Sequence, residues 1–437
     1  MIQLTITYDG NTINLQANGY RVDGFTPQTA ADENTKVSER FDVLVTSQAK
    51  LYALEAAFAW ARKHQSEGNA AWLNYAIDEV TATQKAMIVN GAVLHDAQMS
   101  KRWRFGWLKA AIAIERKPEW RGPLTAISLS NPSGSGTSGV TVKNHWDTGT
   151  NDINYVEIAG ASIGGDLPTP LKLQITNSYN DAYGMVNCWV GHNVESTPAS
   201  LNPVLEGEAA TGGTTTTPSA TSSNNAYQTN SLTNDGDVLL FTWTLSAALL
   251  GYTKGKYFKL MGRFLTQVNN VWFRPDIYYG TVVPLWEGPY TRPNNVLTDY
   301  LWDLGVMQLP PWLLDVSSPD ALSLRLYGKR AVASTINVSL DYLYLLPLES
   351  YRMFAVNGNV PYQSALVDDG TLSQLYSQNS SAAARRGDVV GYGEPIRVQP
   401  GKLQRLYFLQ MRSFASYAQI DRTLSIKAWY EPRRLTA

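Results

Sequence analysis

The chain has 437 residues, which is enough for about three domains of ordinary size. Its 36 basic and 37 acidic residues leave a formal net charge of -1, so nothing attracts nucleic acid or an anionic membrane from a distance. Charged residues make up 17% of the chain, against about 25% in soluble domains. Little charge repulsion therefore opposes self-association, and no sequence-specific binding of nucleic acid is expected.

The single cysteine, Cys188, excludes an intrachain disulfide and a site built from several cysteines. It lies in an apolar run, which predicts a small buried side chain. The start, Met-Ile-Gln-Leu-Thr-Ile-Thr, lacks the basic and apolar regions of a signal peptide, so we expect synthesis and retention in a cytosol. No apolar stretch approaches the ~20 residues of a membrane span, and membrane insertion is not expected.

Residues 1–122 are predicted to form one unit, an antiparallel β-sandwich with one α-helix. The helix is predicted over residues 47–64, where Ala-rich sequence follows a short strand and Thr46 or Ser47 can cap its start. Apolar side chains recur on one face of it at spacings of three and four: Leu51, Leu54 and Phe58. The rest of the unit has the two-residue period of strands, with Asn90-Gly91 as a turn or a bulge.

Residues 124–347 are rich in Ser, Thr, Asn, Gly and aromatic residues, and short apolar runs recur between turns. This pattern predicts a jelly roll or β-sandwich resembling galactose-binding and carbohydrate-binding domains. One strand, 336–344, is predicted to place Ile336, Val338, Leu340, Tyr342 and Tyr344 on one face and Asn337, Ser339 and Asp341 on the opposite face. The Thr/Ser-rich loop 211–225 has the composition of disorder, so we expect a neighbouring subunit to hold it if it is ordered.

Residues 349–437 are predicted to add further β-sandwich strands. They form either a third domain or strands that return to the middle sandwich. Asx-Gly pairs recur along the whole chain and favour antiparallel hairpins over a parallel α/β architecture. The predicted fold class is mostly β.

Motifs for catalysis and cofactor binding are missing from the sequence. Neither a phosphate-binding loop of the Walker type nor a Gly-x-Ser-x-Gly nucleophile turn is present. The histidines stand singly, without a second ligand at i+2 or i+4: His64, His95, His145 and His192. We therefore predict that the chain is not an enzyme and has no catalytic residue, no cofactor and no metal site.

One segment is dense in aromatic and charged residues, a combination that suits sugar binding. Aromatic faces stack on sugar C–H surfaces, and acids or amides bind the hydroxyls. The candidate glycan-binding residues are Trp272, Arg274, Asp276, Tyr278, Tyr279, Trp286 and Tyr290. The alternative, which we favour, is that alternate members form a core face and an interface, with Trp272 on one face and Arg274 and Asp276 opposite.

A glycoside hydrolase would need two carboxylates within roughly 5–10 Å. Acids in aromatic surroundings that could supply such a pair are Glu157, Asp276, Glu287, Asp299 and Asp303. We favour the alternative that they occupy turns and strand edges.

Positive charge is concentrated in one stretch of the first unit, at Lys101, Arg102, Arg104, Lys109, Arg116, Lys117 and Arg121. Such a run can face DNA or a negatively charged partner ring. More often it is a solvated strand edge that discourages unwanted pairing, which is the interpretation we favour.

The first unit resembles the N-terminal domain of distal tail proteins of long-tailed bacteriophages. The resemblance depends on the strand and helix from Glu39 through Phe58, on Val89-Asn90-Gly91-Ala92, and on the closing segment Ala113 to Gly122. The chain end, Gly391 to Arg433, looks like the last strands of tail-protein sandwiches. The long middle, 124–347, departs from the short members of that family.

The resemblance implies a hexameric ring that joins the tail tube to the tip and carries outward β-sandwiches. In such rings the helix and sheet of one subunit pack against the next, and the family has no catalytic residues to transfer. We therefore expect a structural subunit of a virion tail, made in the host cytoplasm. Its expected partners are its own copies and the tube and tip proteins. The alternative functions are a carbohydrate-binding adhesin that binds host-surface glycan and, less favoured, a glycoside hydrolase.

Overall fold

The structure is a computed structural model. It describes residues 2–77, 83–94, 106–145, 153–195, 203–217, 219–233, 235–246, 249, 255–266, 268, 270–292, 300–308, 322–332, 334–380, 385–412 and 420–436. Within these ranges the predicted fold class is confirmed, because the chain is mostly antiparallel β-structure with one α-helix. None of the helices described is long and apolar enough to cross a membrane.

The first part of the chain contains eight strands and the helix. These are β1 (Gln3–Tyr8), β2 (Asn11–Asn14), β3 (Tyr20–Val22), β4 (Val37–Val45), α1 (Gln48–Lys63), β5 (Ala71–Ala76), β6 (Gln84–Leu94), β7 (Leu108–Arg116) and β8 (Trp120–Arg121). Seven strands follow: β9 (Thr125–Ala126), β10 (Leu129–Asn131), β11 (Gly134–Gly136), β12 (Val140–Val142), β13 (Tyr155–Ile158), β14 (Thr169–Asn177) and β15 (Met185–Glu195).

The second half contains two further groups of strands. The first is β16 (Val204–Glu206), β17 (Thr214–Thr216), β18 (Tyr227–Leu232), β19 (Val238–Thr244), β20 (Tyr257–Phe264), β21 (Val271–Tyr279), β22 (Val283–Glu287), β23 (Tyr300–Gln308), β24 (Leu322–Arg330) and β25 (Ile336–Pro347). The second is β26 (Ser350–Val360), β27 (Ala365–Asp369), β28 (Gln374–Gln378), β29 (Arg385–Arg386), β30 (Val389–Tyr392), β31 (Arg397–Val398), β32 (Leu403–Arg412), β33 (Leu424–Tyr430) and β34 (Arg433–Arg434). Short 3-10 helices are Glu67–Asn69, Gly160–Ser162, Gly207–Ala209 and Ser223–Asn225.

The N-terminal unit, β1–β8 with α1 and β34, is one antiparallel sheet with the order β2-β1-β5-β6-β7-β4-β3. β8 pairs with β6, and β34 pairs with β8, so the end of the chain returns to this sheet. The predicted helix packs Leu51, Leu54 and Phe58 onto the sheet, as their spacing indicates. Ser47 stands at the N-cap position without a side-chain hydrogen bond. Asn90-Gly91 lies next to a bulge inside β6, where the register shifts between Ile88 and Asn90.

The host sandwich consists of a seven-stranded sheet, β11-β10-β13-β32-β15-β26-β30, and an eight-stranded sheet that runs β12-β33-β14-β27-β28-β29 with β9 and β31 attached. Strands from the C-terminal segment lie between strands that precede them by more than 200 positions, as β32 lies between β13 and β15. The hydrogen-bonded sheets therefore combine strands from both of the segments 124–347 and 349–437. Local sequence patterns cannot reveal such distant pairing.

The inserted sandwich, β16–β25, lies between β15 and β26, which are themselves paired in the host sandwich with His192 opposite Ser350. One of its sheets has six strands, β17-β18-β25-β20-β23 with β16 beside β25, and the other has four, β19-β24-β21-β22. The six-stranded sheet packs on the seven-stranded host sheet. Alternation along β32 indicates this packing, because Leu406 and Phe408 belong to the host core while Tyr407 and Leu409 join the core of the inserted sandwich.

From Val338 onward strand β25 has both faces buried, so Ser339 and Asp341, on the face opposite the tyrosines, are buried as well. Tyr342 and Tyr344 point to the host sandwich, where their hydroxyl groups donate to Asn144 O (2.9 Å) and Asn154 Oδ1 (3.1 Å). On the other face, Asp341 forms a buried ion pair with Arg263. Polar groups that are buried on either face of a strand in a middle layer need a polar partner. Arg263 is that partner for the carboxylate of Asp341.

Contacts within the chain hold the Thr/Ser-rich loop 211–225, of which residue 218 is outside the described ranges. β17 pairs with β18, the backbone N–H of Ser223 donates to Asp341 Oδ1 (2.9 Å), and Arg263 donates to Thr221 O (2.9 Å). The chain itself thus supplies the support that we expected from a neighbouring subunit.

The basic stretch of the N-terminal unit is not a continuous solvated edge. Arg116 is fully buried, with Nε 2.9 Å from Glu39 Oε1, and Arg121 binds both oxygens of Glu67 at 3.0 and 2.5 Å. Lys109 does lie at the surface, paired with Asp42 at 2.6 Å. Lys101, Arg102 and Arg104 lie outside the described residues. The favoured edge interpretation is therefore wrong for Arg116 and Arg121, whose partners come from distant positions.

Candidate functional site

The outer face of the four-stranded sheet of the inserted sandwich collects most of the predicted glycan-binding residues. Side chains of a strand alternate between faces, so Phe273 and Ile277 of β21 enter the core while every second residue points outward. The outward members are Trp272, Arg274, Asp276 and Tyr278, and Tyr290 joins them from the segment after β22. Trp272 thus lies on the same face as Arg274 and Asp276, which corrects the expectation that it lies opposite them.

Arg274 is the centre of this face. Its Nε and Nη2 atoms donate to Asp276 at 2.8–3.1 Å, and Nη1 donates to Asp237 Oδ2 at 2.9 Å. The guanidinium also lies 5.1 Å from the ring centre of Tyr290 and 5.0 Å from that of Tyr327. Cations over aromatic rings are stabilised by the ring quadrupole. Arg274 is therefore fixed by two carboxylates and two rings.

Other cations of the chain cover the remaining rings of the face. Arg325 lies 3.9 Å from the ring centre of Tyr278, and Arg292 lies 4.8 Å from that of Trp272. A hydrogen bond to Tyr327 raises the pKa of Tyr278 to about 12. Each outward ring thus already has a cation against one of its faces, and a sugar would have to stack on what the cations leave exposed.

Two predicted members of the site lie elsewhere. Trp286 is opposite Ile277 in the strand pairing and packs half-buried against the core. Tyr279, at the end of β21, is 37% exposed and pairs with Val283. The structure therefore brings together five of the seven candidates and separates these two.

Sequence reasoning missed the residues that complete the face: Asp237, Arg325, Tyr327 and Lys329. They alternate along β24 or precede β19, and they reach β21 only through pairing such as Arg274 opposite Tyr327. The alternation of Arg325, Tyr327 and Lys329 was a readable signal for an outward polar face. The pairing of β24 with β21 could not be predicted from local sequence, because β24 is about fifty residues downstream of β21.

The acids proposed for a hydrolase are engaged in ion pairs or lie apart. Asp276 and Glu287 are directly opposite each other on β21 and β22, but Asp276 is buried and holds Arg274 through both oxygens. Burial raises the pKa of Asp276 above its ordinary value, and the hydrogen bonds from Arg274 oppose that rise. Glu157 binds Arg405 at 3.0 Å, and Asp303 binds Lys259. Asp299 lies outside the described residues.

Two grooves flank β6 in the N-terminal unit, one of about 470 Å³ beside α1 and one of about 310 Å³ beside β4 and β7. Ala92 lines both grooves and is exposed on the strand between them. Gly91 lets the helix approach, because a Cβ at this position would lie 2.4 Å from the Phe58 ring. Arg62 and Gln65 of the helix end donate to Gly91 O (2.7 Å) and Val89 O (2.9 Å), which covers part of the strand edge.

The histidines and the cysteine that the structure describes have ordinary structural surroundings. His64 stacks on Trp60 at 3.7 Å, and His145 contacts Ile420 O at 3.0 Å. Burial lowers the pKa of His192 to about 4, and burial raises the pKa of Cys188. His95 lies outside the described ranges. Within those ranges, no group of three or more His, Cys, Asp and Glu side chains is arranged to hold a metal ion.

No family model and no curated protein matches the chain. Solved structures similar to it include phage tail components. One is the Dit protein of phage SPP1, described as a paradigm of the hub adsorption apparatus in phages that infect Gram-positive bacteria. It has 12% identity and a TM-score of 0.21, over 44% of this chain and 71% of that one.

A chain of the phage P2 baseplate in its activated conformation with Ca matches over 100% of both chains, at 8% identity and a TM-score of 0.28. VP2 of infectious bursal disease virus, in its subviral particle, matches at 10% identity and a TM-score of 0.17, over 71% of this chain and 80% of that one. At these TM-scores the likeness does not define a shared fold.

Proposed function

We propose that the chain is a structural subunit of a bacteriophage tail, a ring adaptor between the tail tube and the tip. In this proposal the N-terminal unit forms the ring with further copies, and the host and inserted sandwiches project outward. The tube and tip proteins are its other partners, and the virion tail is its location.

One observation carries the proposal: the last strand of the chain, β34, returns to the N-terminal unit that resembles distal tail proteins. The helix-and-strand segment from Glu39 to Gly122 builds the N-terminal sheet, and β34 at the chain end adds to that sheet through β8. They are more than 300 residues apart in sequence, so their meeting was not implied by either pattern alone.

The outer surface of the N-terminal unit supports a ring contact. Ala92 and Leu94 are exposed on β6, and Ala111 and Ala113 of β7 lie directly beside them. Small apolar residues on a sheet face allow another surface to approach closely without burying unpaired polar groups. We infer that a second copy of the chain covers this face in a ring closed by rotational symmetry.

The test is the mass of the purified protein by light scattering after size exclusion, with negative-stain images of the same peak. The expected result is a hexamer of the 48.3 kDa chain, seen as a ring with a central hole. The variant Ala92→Arg should leave the fold intact and dissociate the ring. Its control, Thr244→Arg, places the same charge on an exposed strand position of the inserted sandwich and should leave the ring unchanged. A monomer for the unmodified chain at high concentration would contradict the proposal.

A second proposal is that the outer face of the four-stranded sheet binds a glycan of the host surface. The grouping of Trp272, Arg274, Asp276, Tyr278 and Tyr290 on one face favours it. A glycan array should then give binding that Trp272→Ala and Tyr278→Ala abolish, whereas Tyr279→Ala should retain it. Equal binding by all three variants would contradict the proposal. Loss of a measured hydrolysis in the double variant Asp276→Asn, Glu287→Gln would instead favour a glycoside hydrolase.

A further inference from the structure

Three side chains meet where the inserted sandwich joins the host sandwich: Asn193, Lys256 and Glu349. Asn193 is near the end of β15, Lys256 directly precedes β20, and Glu349 occupies the turn between β25 and β26. The Lys256 ammonium lies 2.5 Å from Asn193 Oδ1 and 3.1 Å from Glu349 Oε1. The other oxygen of Glu349 accepts the backbone N–H of Val194 at 2.6 Å, which fixes the carboxylate beside the amide.

The distances place the lysine nitrogen close to the amide carbon. A C=O bond is about 1.23 Å long, so the 2.5 Å contact between Nζ and Oδ1 puts Nζ within about 3.7 Å of Cγ. Reacting atoms in near-attack arrangements are about 3–3.5 Å apart. A small rotation of the lysine side chain therefore brings its nitrogen within reach of the carbonyl carbon.

The amino group of this amide is the poorly accommodated part of the cluster. Asn193 is 0% exposed, and its Nδ2 has no hydrogen-bond acceptor among the described residues. A buried donor without an acceptor destabilises the folded state. A reaction that expels this nitrogen as ammonia would remove that destabilisation.

The geometry points to an autocatalytic amide bond between Lys256 Nζ and Asn193 Cγ, with Glu349 as general base and acid. Glu349 takes a proton from the ammonium, and the neutral amine attacks Cγ. The C–Nδ2 bond breaks and the nitrogen leaves as ammonia with the proton returned by Glu349, while the attacking nitrogen gives its extra proton to the freed carboxylate, so that a neutral amide remains. The sum is a lysine amine and a carboxamide giving one amide and one ammonia, with no oxidant or reductant.

The bond would join the start of β20 in the inserted sandwich to β15, a central strand of the host sandwich. It would stand at the junction where the chain enters and leaves the insertion. Pulling on the inserted sandwich would then load a covalent link rather than the noncovalent contacts between the two sandwiches.

The test is the intact mass of the purified full chain, followed by peptide mapping. We expect a mass lower than that of the sequence by one ammonia. Three glutamates, Glu195, Glu206 and Glu208, separate the two partners in sequence. A protease that cuts after glutamate should therefore give one branched species that contains both Asn193 and Lys256. The full sequence mass, with both residues recovered on separate unmodified peptides, would overturn the inference.

Variants test the assigned roles. Lys256→Arg and Glu349→Gln should restore the full sequence mass, and circular dichroism should show that both remain folded. Lys259→Arg is the matched control, because Lys259 lies on β20 and contacts the carboxylate of Asp303 rather than a carboxamide. It should keep the mass deficit. A deficit that persists in Lys256→Arg would overturn the inference, since another residue would then be losing the ammonia.

Discussion

The N-terminal unit and the inserted sandwich are attached to the host sandwich in opposite ways. The N-terminal unit has an apolar core of its own, drawn from residues between Leu4 and Trp120. Its junction with the rest is polar, with Lys85 bound to Glu431 at 2.6 Å and Glu67 bound to Arg433 at 3.7 Å. The inserted sandwich instead shares its buried apolar cluster with the host residues Tyr155, Trp189, Tyr407, Leu409 and Met411.

Continuity along the chain therefore does not decide which parts fold together. A shared apolar core couples the stabilities of two parts, because neither can unfold without exposing the other's surface. A polar junction between two separate cores couples them weakly, because water can replace its hydrogen bonds. We therefore expect the host and inserted sandwiches to unfold as one unit and the N-terminal unit to unfold separately.

The largest expected effect comes from Tyr344→Ala in the shared core. Tyr344 is 0% exposed and contacts the Tyr407 ring at 6.5 Å between centres. Removing its ring should lower the free energy of unfolding by about 4 kcal/mol. Hydrogen exchange followed by mass spectrometry should show faster exchange in both sandwiches and an unchanged exchange rate in the N-terminal unit. The control Tyr344→Phe loses only the hydrogen bond to Asn154 and should cost about 1 kcal/mol. Faster exchange in the inserted sandwich alone would disprove the shared core.

A smaller effect, limited to the N-terminal unit, is expected from Glu39→Gln. The substitution leaves the buried guanidinium of Arg116 without its counter-charge, at a cost of about 3 kcal/mol. Hydrogen exchange should accelerate only in this unit. Asp42→Asn on the same strand breaks an exposed ion pair with Lys109 and should change the free energy of unfolding by less than about 0.5 kcal/mol. Equal effects of the two substitutions would show that burial does not govern these pairs.

The smallest effect is a pH dependence of the polar junction. Burial raises the pKa of Glu67, but the hydrogen bond and the charge of Arg121 lower it by more than burial raises it, so the pKa lies below its ordinary value. A depressed pKa stabilises the folded state above the ordinary pKa, and this stabilisation is lost as the pH falls through the folded value.

Urea unfolding of the N-terminal unit should therefore show that Glu67→Gln costs on the order of 1 kcal/mol at about pH 6 and almost nothing at about pH 3. A difference between wild type and variant that does not change with pH would mean that the charge of Glu67 is irrelevant to the junction.

The helix and the strand alternation could be predicted from the sequence because both depend on neighbours a few positions away. The spacing of Leu51, Leu54 and Phe58 was sufficient for α1. In β21 the alternation was misread, because Trp272 lies on the same face as Arg274 and Asp276. What the opposite face contacts was not predictable. The alternation placed Asp341 on the face opposite Tyr342, but a single strand contains no sign that a second layer will cover that face.

The prediction that the basic stretch is a solvated strand edge was wrong for a related reason. Arg116 and Glu39 are 77 positions apart, and Arg121 and Glu67 are 54 apart, so the basic stretch looked unpaired. At the candidate glycan site the β21 members could be predicted from the sequence. It could not give the arginines that cover their rings, because β24 meets β21 only after the sheet forms.

The insertion point between β15 and β26 has a consequence for how such a protein can change. Because His192 and Ser350 are hydrogen-bonded strand neighbours, the inserted sandwich leaves and rejoins the host across a gap no wider than a hairpin. A cassette of different size can be exchanged there without moving the rest. The host, however, offers the apolar surface of Tyr155, Trp189 and Tyr407 at that point. A replacement is therefore tolerated only if it brings an apolar strand like β25 to cover this surface.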